Sequence, residues 1–184
     1  MATHCSSRLV TGLAFVVATL GALFQISEAK AAPTTTIDAK APVISRQDIE
    51  ISAPIATVWA LQTNINGWTA WRPSVSSAHL DGALKAGSAF HWEEGGLQIV
   101  STVQQIQPRR RIVWTGPAQG IFAVHVWEFT PIEGGVRVHT EESWSGAPVD
   151  AQTEQLQPLL DGALRDWLTR LKQTSEARAA KATR

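Results

Sequence analysis

Apolar residues alternate with polar ones through the middle of the chain. From Val75 to Ser145 this period of two recurs between short turns rich in glycine and proline, a pattern typical of β-strands. A further strand is predicted before it at Val43–Ile51. The strands predicted from Val75 onward are Val75–Leu80, Ser88–Glu93, Gln98–Gln107, Arg111–Thr115, Ile121–Thr130 and Val136–Ser145. Because connections this short cannot carry a parallel crossover, we expect antiparallel neighbours.

Helical spacing flanks the strands on both sides. Ser52 and Pro54 suit a helix start, and the spacing then predicts a helix to about Asn64. The stretch from Ile65 to Pro73 is interpreted as a short broken helix or loop. The longest predicted helix covers residues 151–175. Its apolar residues recur in steps of three and four on one face: Leu156, Leu159, Leu160, Ala163, Leu164, Trp167, Leu168 and Leu171.

This order of elements predicts one α+β domain over residues 43–175, followed by a frayed polar tail at 176–184. A sheet of about seven strands has one apolar face to cover, and the C-terminal helix is long enough to cover it. We expect a curved antiparallel sheet wrapped around that helix, with two short helices after the first strand. Because such a sheet rarely packs completely over one helix, we also expect an internal cavity.

The N-terminal residues 1–31 have the pattern of a signal peptide. Arg8 precedes a mainly apolar run of 16 residues that begins at Leu9, and Ala29-Lys30-Ala31 fits the small-x-small cleavage pattern. We expect cleavage between Ala31 and Ala32, a periplasmic or secreted protein, and no stable membrane insertion afterwards. An uncleaved membrane anchor is the alternative. Residues 32–42 lack an apolar period and are interpreted as a flexible linker.

Composition and charge exclude several kinds of chemistry. Without residues 1–31 the chain has 14 Lys and Arg against 15 Asp and Glu, which argues against a nucleic-acid partner. The run Arg109 to Arg111 is interpreted as a solvated turn. Cys5, the only cysteine, would leave with the signal peptide. Since the histidines are scattered and no nucleophile elbow or glycine-rich phosphate loop occurs, we expect no metal and no cofactor. We expect a monomer or a weak dimer.

Strand alternation also indicates which residues face the interior. The chain has eight tryptophans and no tyrosine, and alternation turns several of these large rings inward. The predicted ligand-binding residues are Trp68, Trp71, Phe90, Trp92, Ser101, Trp114, Trp127, Phe129, Thr140 and Trp144. Trp68 and Trp71 are expected at the cavity mouth. The alternative is that these rings simply fill the core.

His125 and Glu142 are the candidate catalytic residues. Alternation turns both inward on a predicted hairpin, and a buried carboxylate needs a partner or a raised pKa. The pair could act as general acid and base on an enolisable, polyketide-like substrate. The alternative is a structural hydrogen bond at the cavity edge.

Motifs along residues 43–173 recur in a known family. They are Ile51-x-Ala53-Pro54-x-x-x-Val58-Trp59, Trp68-x-x-Trp71-x-Pro73, Gly87-x-x-Phe90-x-Trp92, Pro108-x-Arg110-Arg111-Ile112-x-Trp114-x-Gly116, Trp127-x-Phe129-x-Pro131 and Gly134-Gly135-Val136-x-Val138. These motifs resemble the SRPBCC superfamily of START-like and Bet v 1-like proteins, above all its bacterial polyketide cyclase/dehydrase or lipid-transport branch. The resemblance implies the helix-grip fold. It leaves the activity open, because that branch holds cyclases, carriers and proteins of unknown role.

Three functions are compatible with these features. The first is non-catalytic binding of a small hydrophobic ligand, lipid-like or aromatic, in an internal cavity of a periplasmic or secreted protein. The second is a polyketide cyclase or dehydratase-like enzyme that uses His125 and Glu142. The third is a protein-interaction module whose cavity is vestigial.

Overall fold

A computed structural model describes Met1 and residues 34–182. The predicted signal peptide, and the bond between Ala31 and Ala32 where cleavage is expected, lie outside the described residues. The elements in chain order are β1 (Val43–Ile51), α1 (Ile55–Thr63), a 3₁₀ helix (Ile65–Ala70), β2 (Val75–Leu80), β3 (Ala89–Glu94), β4 (Leu97–Gln107), β5 (Arg111–Ala118), β6 (Ile121–Ile132), β7 (Gly135–Ser145), α2 (Ala147–Ala151) and α3 (Thr153–Ala182).

The strands form one antiparallel sheet in the order β1-β7-β6-β5-β4-β3-β2. The turn between β3 and β4 consists of Gly95 and Gly96, which have φ angles of 58° and 82°. Positive φ at both positions gives the hairpin turn whose twist matches that of its strands. Register shifts interrupt the β2–β3 and β4–β5 pairings, and such bulges bend a sheet. The predicted α+β helix-grip fold is confirmed.

Helix α3 lies across the concave face of the sheet and packs most extensively on β1. It buries one face, the residues Leu160, Leu164, Trp167, Leu168, Leu171 and Ser175. The largest hydrophobic cluster joins this face to α1, to the 3₁₀ helix and to the inward side chains of the sheet. A second cluster, around Val43, Val149, Leu160 and Leu164, lies near the start of α3.

The C-terminal residues depart from the predicted frayed tail. Helix α3 continues to Ala182, because residues after Ser175 still find contacts. The carboxylate of Glu176 accepts hydrogen bonds from the Ser52 amide and from Lys172 Nζ, at 2.9 and 2.7 Å. Ala179 packs against the large hydrophobic cluster. The abundance of alanine, lysine and arginine in this stretch also favours a helix.

The residues before β1 depart from the predicted flexible linker over the described part, residues 34–42. Ile37 is buried against Val113, Val124 and Val126 on the outer face of the sheet. The backbone carbonyl of Thr35 accepts a hydrogen bond from Arg111 Nη2 at 2.6 Å. An apolar anchor and backbone hydrogen bonds therefore tie this segment to the sheet.

The interpretation of the arginine run as a solvated turn is wrong for Arg111. Its side chain is buried under the N-terminal segment and donates to Glu128, to Gln105 and to the Thr35 carbonyl. These acceptors replace the water that a buried guanidinium loses.

Candidate functional site

A cavity of about 460 Å³ lies between the concave face of the sheet and the first half of α3. Leu159 borders it and is 62% exposed, so the cavity opens to solvent beside this residue. The lining residues are Trp92, Glu94, Gly95, Leu97, Ile99, Ser101, Trp114, Gly116, Ala118, Ile121, Ala123, Glu142, Trp144, Leu159, Leu160, Ala163, Leu164 and Trp167. The walls are therefore almost wholly apolar.

The cavity exists because small residues occupy inward positions that face α3. Gly116 of β5 pairs with Ala123 of β6, and Ala163 faces them from α3. A Cβ atom at position 116 would lie only 3.0 Å from Ser101 Oγ and from the Val100 carbonyl oxygen. Since none of the three small residues reaches across the gap, the helix and the sheet stay apart here.

The inner end of the cavity is closed by a cluster of aromatic rings centred on Trp167 of α3. Its ring centroid lies 5.1 Å from those of Trp68 and Trp127, 5.8 Å from that of Trp92 and 6.0 Å from that of Trp114. Edge-on and tilted contacts of this kind stabilise aromatic pairs beyond the area they bury.

His125 and Glu142 face each other across the β6–β7 pairing, as predicted. Nδ1 of His125 lies 3.1 Å from Oε2 of Glu142. The other imidazole nitrogen, Nε2, lies 2.9 Å from Thr140 Oγ1, whose hydroxyl donates to the Val126 carbonyl at 3.0 Å. A hydroxyl has one proton, so Nε2 of His125 must donate to Thr140. Nδ1 then carries no proton in a neutral imidazole and faces Glu142 Oε2 as an acceptor.

The charge states of the pair follow from burial. Desolvation lowers the pKa of His125 well below its usual range, and the positive charge of Arg72 lowers it further. Desolvation raises the pKa of Glu142 to about 7, while the hydrogen bond from Trp144 Nε1 to Oε1, 2.8 Å long, opposes that rise. Near neutral pH the pair therefore holds one transferable proton, and its Glu142 member borders the cavity.

Two other polar side chains reach the cavity wall. Ser101 Oγ accepts a hydrogen bond from Trp92 Nε1 at 3.0 Å, which leaves the hydroxyl proton of Ser101 to point elsewhere. Glu94 Oε1 accepts from Arg72 Nη2 and from Ser74 Oγ, both at 2.6 Å.

The predicted ligand-binding residues divide into two groups. Trp92, Ser101, Trp114 and Trp144 line the cavity, and the candidate catalytic residue Glu142 joins them. His125 lies behind Glu142, fully buried against the rings of Trp114 and Trp127. Those that the structure places in the packed core instead are Trp68, Trp71, Phe90, Trp127, Phe129 and Thr140.

The expected position of Trp68 and Trp71 at the mouth is wrong. Trp68 is completely buried, and its ring packs edge-on against Phe90 and Trp167 at the inner end of the cavity. Trp71 is 8% exposed and belongs to the same core cluster. The 3₁₀ helix that carries Trp68 turns its side chain toward α1, where the indole N–H donates to the Gln62 carbonyl at 2.9 Å.

Sequence reasoning missed three residues at the site. The helical spacing puts Trp167 on the apolar face of the last helix but does not indicate that it borders the cavity. Glu94 follows Trp92 by two positions, so strand alternation could have identified Glu94 as facing inward. Arg72 gave no signal: its burial under Trp167 arises from the tertiary structure alone.

A model of the family described as polyketide cyclase / dehydrase and lipid transport matches residues 42–176. The chain belongs to this family. The match covers most of the chain and confirms the resemblance to the SRPBCC superfamily. No curated protein matches the chain.

Solved structures show the same fold at low sequence identity. A hypothetical protein of Helicobacter pylori superposes with a TM-score of 0.67 at 18% identity, over 79% of this chain and 99% of that one. A START superfamily protein of Mycobacterium smegmatis gives 0.57 at 12% identity, over 76% and 98%. The di-domain ARO/CYC protein StfQ of the steffimycin biosynthetic pathway gives 0.64 at 15% identity, over 75% of this chain and 52% of StfQ.

Two kinds of feature are absent from residues 34–182. Among these residues no helix combines the length and hydropathy needed to cross a membrane. The same residues bring together no group of three or more histidine, cysteine, aspartate or glutamate side chains that could hold a metal ion.

Proposed function

We propose that this protein binds a small hydrophobic molecule, lipid-like or aromatic, in the cavity between the sheet and α3. The observation that carries the proposal is a space of about 460 Å³ whose polar lining side chains are Glu94, Ser101 and Glu142. Concave sites of this size, apolar with a few placed polar groups, are the usual form of small-molecule sites. The family description, which includes lipid transport, supports the same conclusion.

Native mass spectrometry of the purified protein tests the proposal directly, since a retained ligand adds mass. Where nothing is retained, displacement of a fluorescent apolar probe measures binding. Ala163→Leu fills the cavity from the α3 side, and Ala177→Leu, on an exposed turn of the same helix, makes the same change away from it. We expect Ala163→Leu to weaken binding at least about tenfold and Ala177→Leu to leave it unchanged. Equal binding by both variants would place the ligand elsewhere. Absence of binding to any apolar probe would favour the protein-interaction alternative.

A second candidate function is acid–base catalysis. The observation that favours it is the approach of His125 Nδ1 to within 3.1 Å of Glu142 Oε2, on a side chain that borders the cavity. A group whose pKa is about 7 can both give and accept a proton at neutral pH. An enolisable ketone in the cavity could lose its α-proton to the Glu142 carboxylate and regain one from the acid form.

Deuterium exchange distinguishes this candidate from simple binding. An aromatic β-diketone such as benzoylacetone is incubated with the protein in D₂O, and exchange at its α-carbon is followed by NMR. A catalyst accelerates exchange above the buffer rate, and Glu142→Gln abolishes the acceleration while the ketone still binds. If the unmodified protein binds the ketone but exchange proceeds only at the buffer rate, the protein binds without catalysis.

We further propose that the protein acts after export, in the periplasm or outside the cell. The support is the sequence of residues 1–31, with Arg8 before an apolar run and the small residues Ala29 and Ala31. N-terminal sequencing of protein recovered from its host tests this. Export with cleavage gives Ala32 as the first residue, whereas a retained Met1 in the membrane fraction indicates an anchor.

A further inference from the structure

The ionisable side chains that line the cavity are all acidic. Among the described residues these are Glu94 and Glu142, and the lining contains no lysine, arginine or histidine. The two carboxylates are close enough that Glu94 raises the pKa of Glu142. A carboxylate or phosphate head group in this cavity would meet two acids and no base.

Three of the four tryptophans that line the cavity, all except Trp114, have their indole N–H engaged in a hydrogen bond. Trp92 donates its N–H to Ser101, Trp144 donates to Glu142, and Trp167 donates to Gln62 Oε1 at 3.0 Å. These rings therefore present carbon and π-electron surface to the cavity. Such surface attracts cations, and tryptophan does so more strongly than the other aromatic side chains.

The nearest cation is separated from the cavity. The Arg72 guanidinium is 1% exposed, lies against the ring of Trp167 with Cζ 3.3 Å from the centroid, and is paired with Glu94. It neutralises Glu94 and leaves Glu142 without a counter-charge on the cavity side. His125 cannot supply one, because it is buried and neutral.

From this arrangement, and resting on the proposed binding function, we infer that the ligand is a cationic amphiphile: an apolar body carrying an ammonium group that lies against Glu142 and the surrounding indoles. Trp144 contacts Glu142 directly, and Trp114 of β5 and Trp167 of α3 line the same cavity. The apolar body fills the space beside Gly116. The positive charge of the ammonium group compensates the negative charge that Glu142 carries when ionised.

Binding of such a ligand is coupled to the proton on Glu142. The titratable and charged groups around this carboxylate are His125 from β6, Glu94 from β3 and Arg72 from the segment before β2. Asp166 of α3, which pairs with Arg170, acts on Arg72. Of these, Arg72 is paired with Glu94 and Asp166 with Arg170, so Glu142 is the group that changes charge near neutral pH. Its pKa of about 7 means that a cation releases a proton on binding below that pH and binds more tightly above it.

Three probes with one alkyl chain and different head groups test the inference: decylamine, decanol and decanoate. Their affinities are measured by tryptophan fluorescence titration, at about one pH unit above and one below the pKa of Glu142. At the higher pH we expect decylamine to bind at least about tenfold tighter than decanol or decanoate. At the lower pH we expect decylamine to bind about tenfold less tightly than it does at the higher pH. Glu142→Gln should remove both the preference and its pH dependence. Glu141→Gln makes the same change on the outer face of β7, where Glu141 pairs with Arg46, and should keep both.

Each other outcome decides against the inference. If decanol and decanoate bind as tightly as decylamine, the cavity binds apolar chains and the cationic preference is wrong, while the binding function stands. If the preference survives in Glu142→Gln, the acid that recognises the cation is another one. If none of the three probes binds, the proposed binding function fails as well.

Discussion

Arg72 lies over the indole of Trp167, with Cζ 3.3 Å from the ring centroid and only 1% of the side chain exposed. Its Nη2 donates to Glu94, whereas the buried Nε and Nη1 have no hydrogen-bond partner among the described residues. Burial lowers the pKa of Arg72 to about 10, against the effect of Glu94, so the guanidinium is charged at neutral pH. Glu94 and the π-electron surface of Trp167 therefore compensate the buried charge of Arg72.

The first prediction concerns the ion pair between Arg72 and Glu94. Glu94→Gln should lower the free energy of unfolding by about 2–4 kcal/mol, because it leaves the Arg72 charge buried without a counter-ion. The double variant Arg72→Met with Glu94→Gln should be more stable than Glu94→Gln alone, since it removes that charge and keeps an apolar side chain against Trp167. Urea unfolding of the two variants and the parent measures both effects. A double variant less stable than Glu94→Gln would show that the Arg72–Trp167 contact itself provides the stability.

The second prediction concerns the proton of Glu142. Glutamine at this position can accept from Trp144 Nε1, as the acid does, and has nearly the same size, so Glu142→Gln should fold normally. The folded protein holds the Glu142 proton up to about pH 7, whereas an exposed glutamate loses it near 4.5, so the parent loses stability as pH rises between these values. The variant should therefore gain up to about 3 kcal/mol relative to the parent across this window.

Urea unfolding at several pH values checks this. The lowered pKa of His125 acts in the opposite direction in both proteins, since its contribution is lost as pH falls below the ordinary value of 6.5. A difference that does not change with pH would mean that Glu142 is ionised in the folded protein over the whole window.

The third prediction concerns the tautomer of His125. Because the Thr140 hydroxyl donates to the Val126 carbonyl, it can only accept from His125, and ¹⁵N NMR should show a neutral imidazole protonated at Nε2. Thr140→Val leaves that N–H unpaired in a fully buried site and should cost about 1–3 kcal/mol. Thr140→Ser keeps the hydroxyl and should keep the tautomer. If the parent protein shows a signal from Nδ1–H, the tautomer assigned to His125 is wrong, and Glu142 accepts a hydrogen bond from Nδ1.

Strand alternation predicted much of the sheet, because period two and short turns are local properties of the chain. The same alternation correctly placed His125 opposite Glu142. It could not separate cavity wall from core, as two paired residues show. Phe90 and Ser101 are partners in the β3–β4 register, yet Phe90 packs against Trp68 and Trp114 while Ser101 borders the cavity.

The difference between those two residues depends on where α3 crosses the sheet and on how little Gly116 and Ala123 fill, which are relations between distant segments. The burial of Arg72 is of the same kind, since its aromatic partner comes from α3, far along the chain. The helical extension to Ala182 was missed for another reason: a polar stretch with strong helix formers forms a helix when tertiary contacts support it.

The fourth prediction compares three glycines that differ in their surroundings. At Gly135 an added Cβ would lie 2.1 Å from the Ile51 carbonyl oxygen. The backbone there is held by the pairing of Gly135 with Ile132 and of the next residue, Val136, with Ile51. Gly135→Ala should therefore cost about 2 kcal/mol or more. Gly134 has open space but a φ of +73°, so Gly134→Ala should cost about 1 kcal/mol through backbone strain alone. Gly162, inside α3 with nothing near its Cβ position, should gain about 0.5–1 kcal/mol as alanine. Thermal and urea unfolding give this order, and a Gly135→Ala variant as stable as Gly134→Ala would show that the start of β7 yields to accommodate the methyl group.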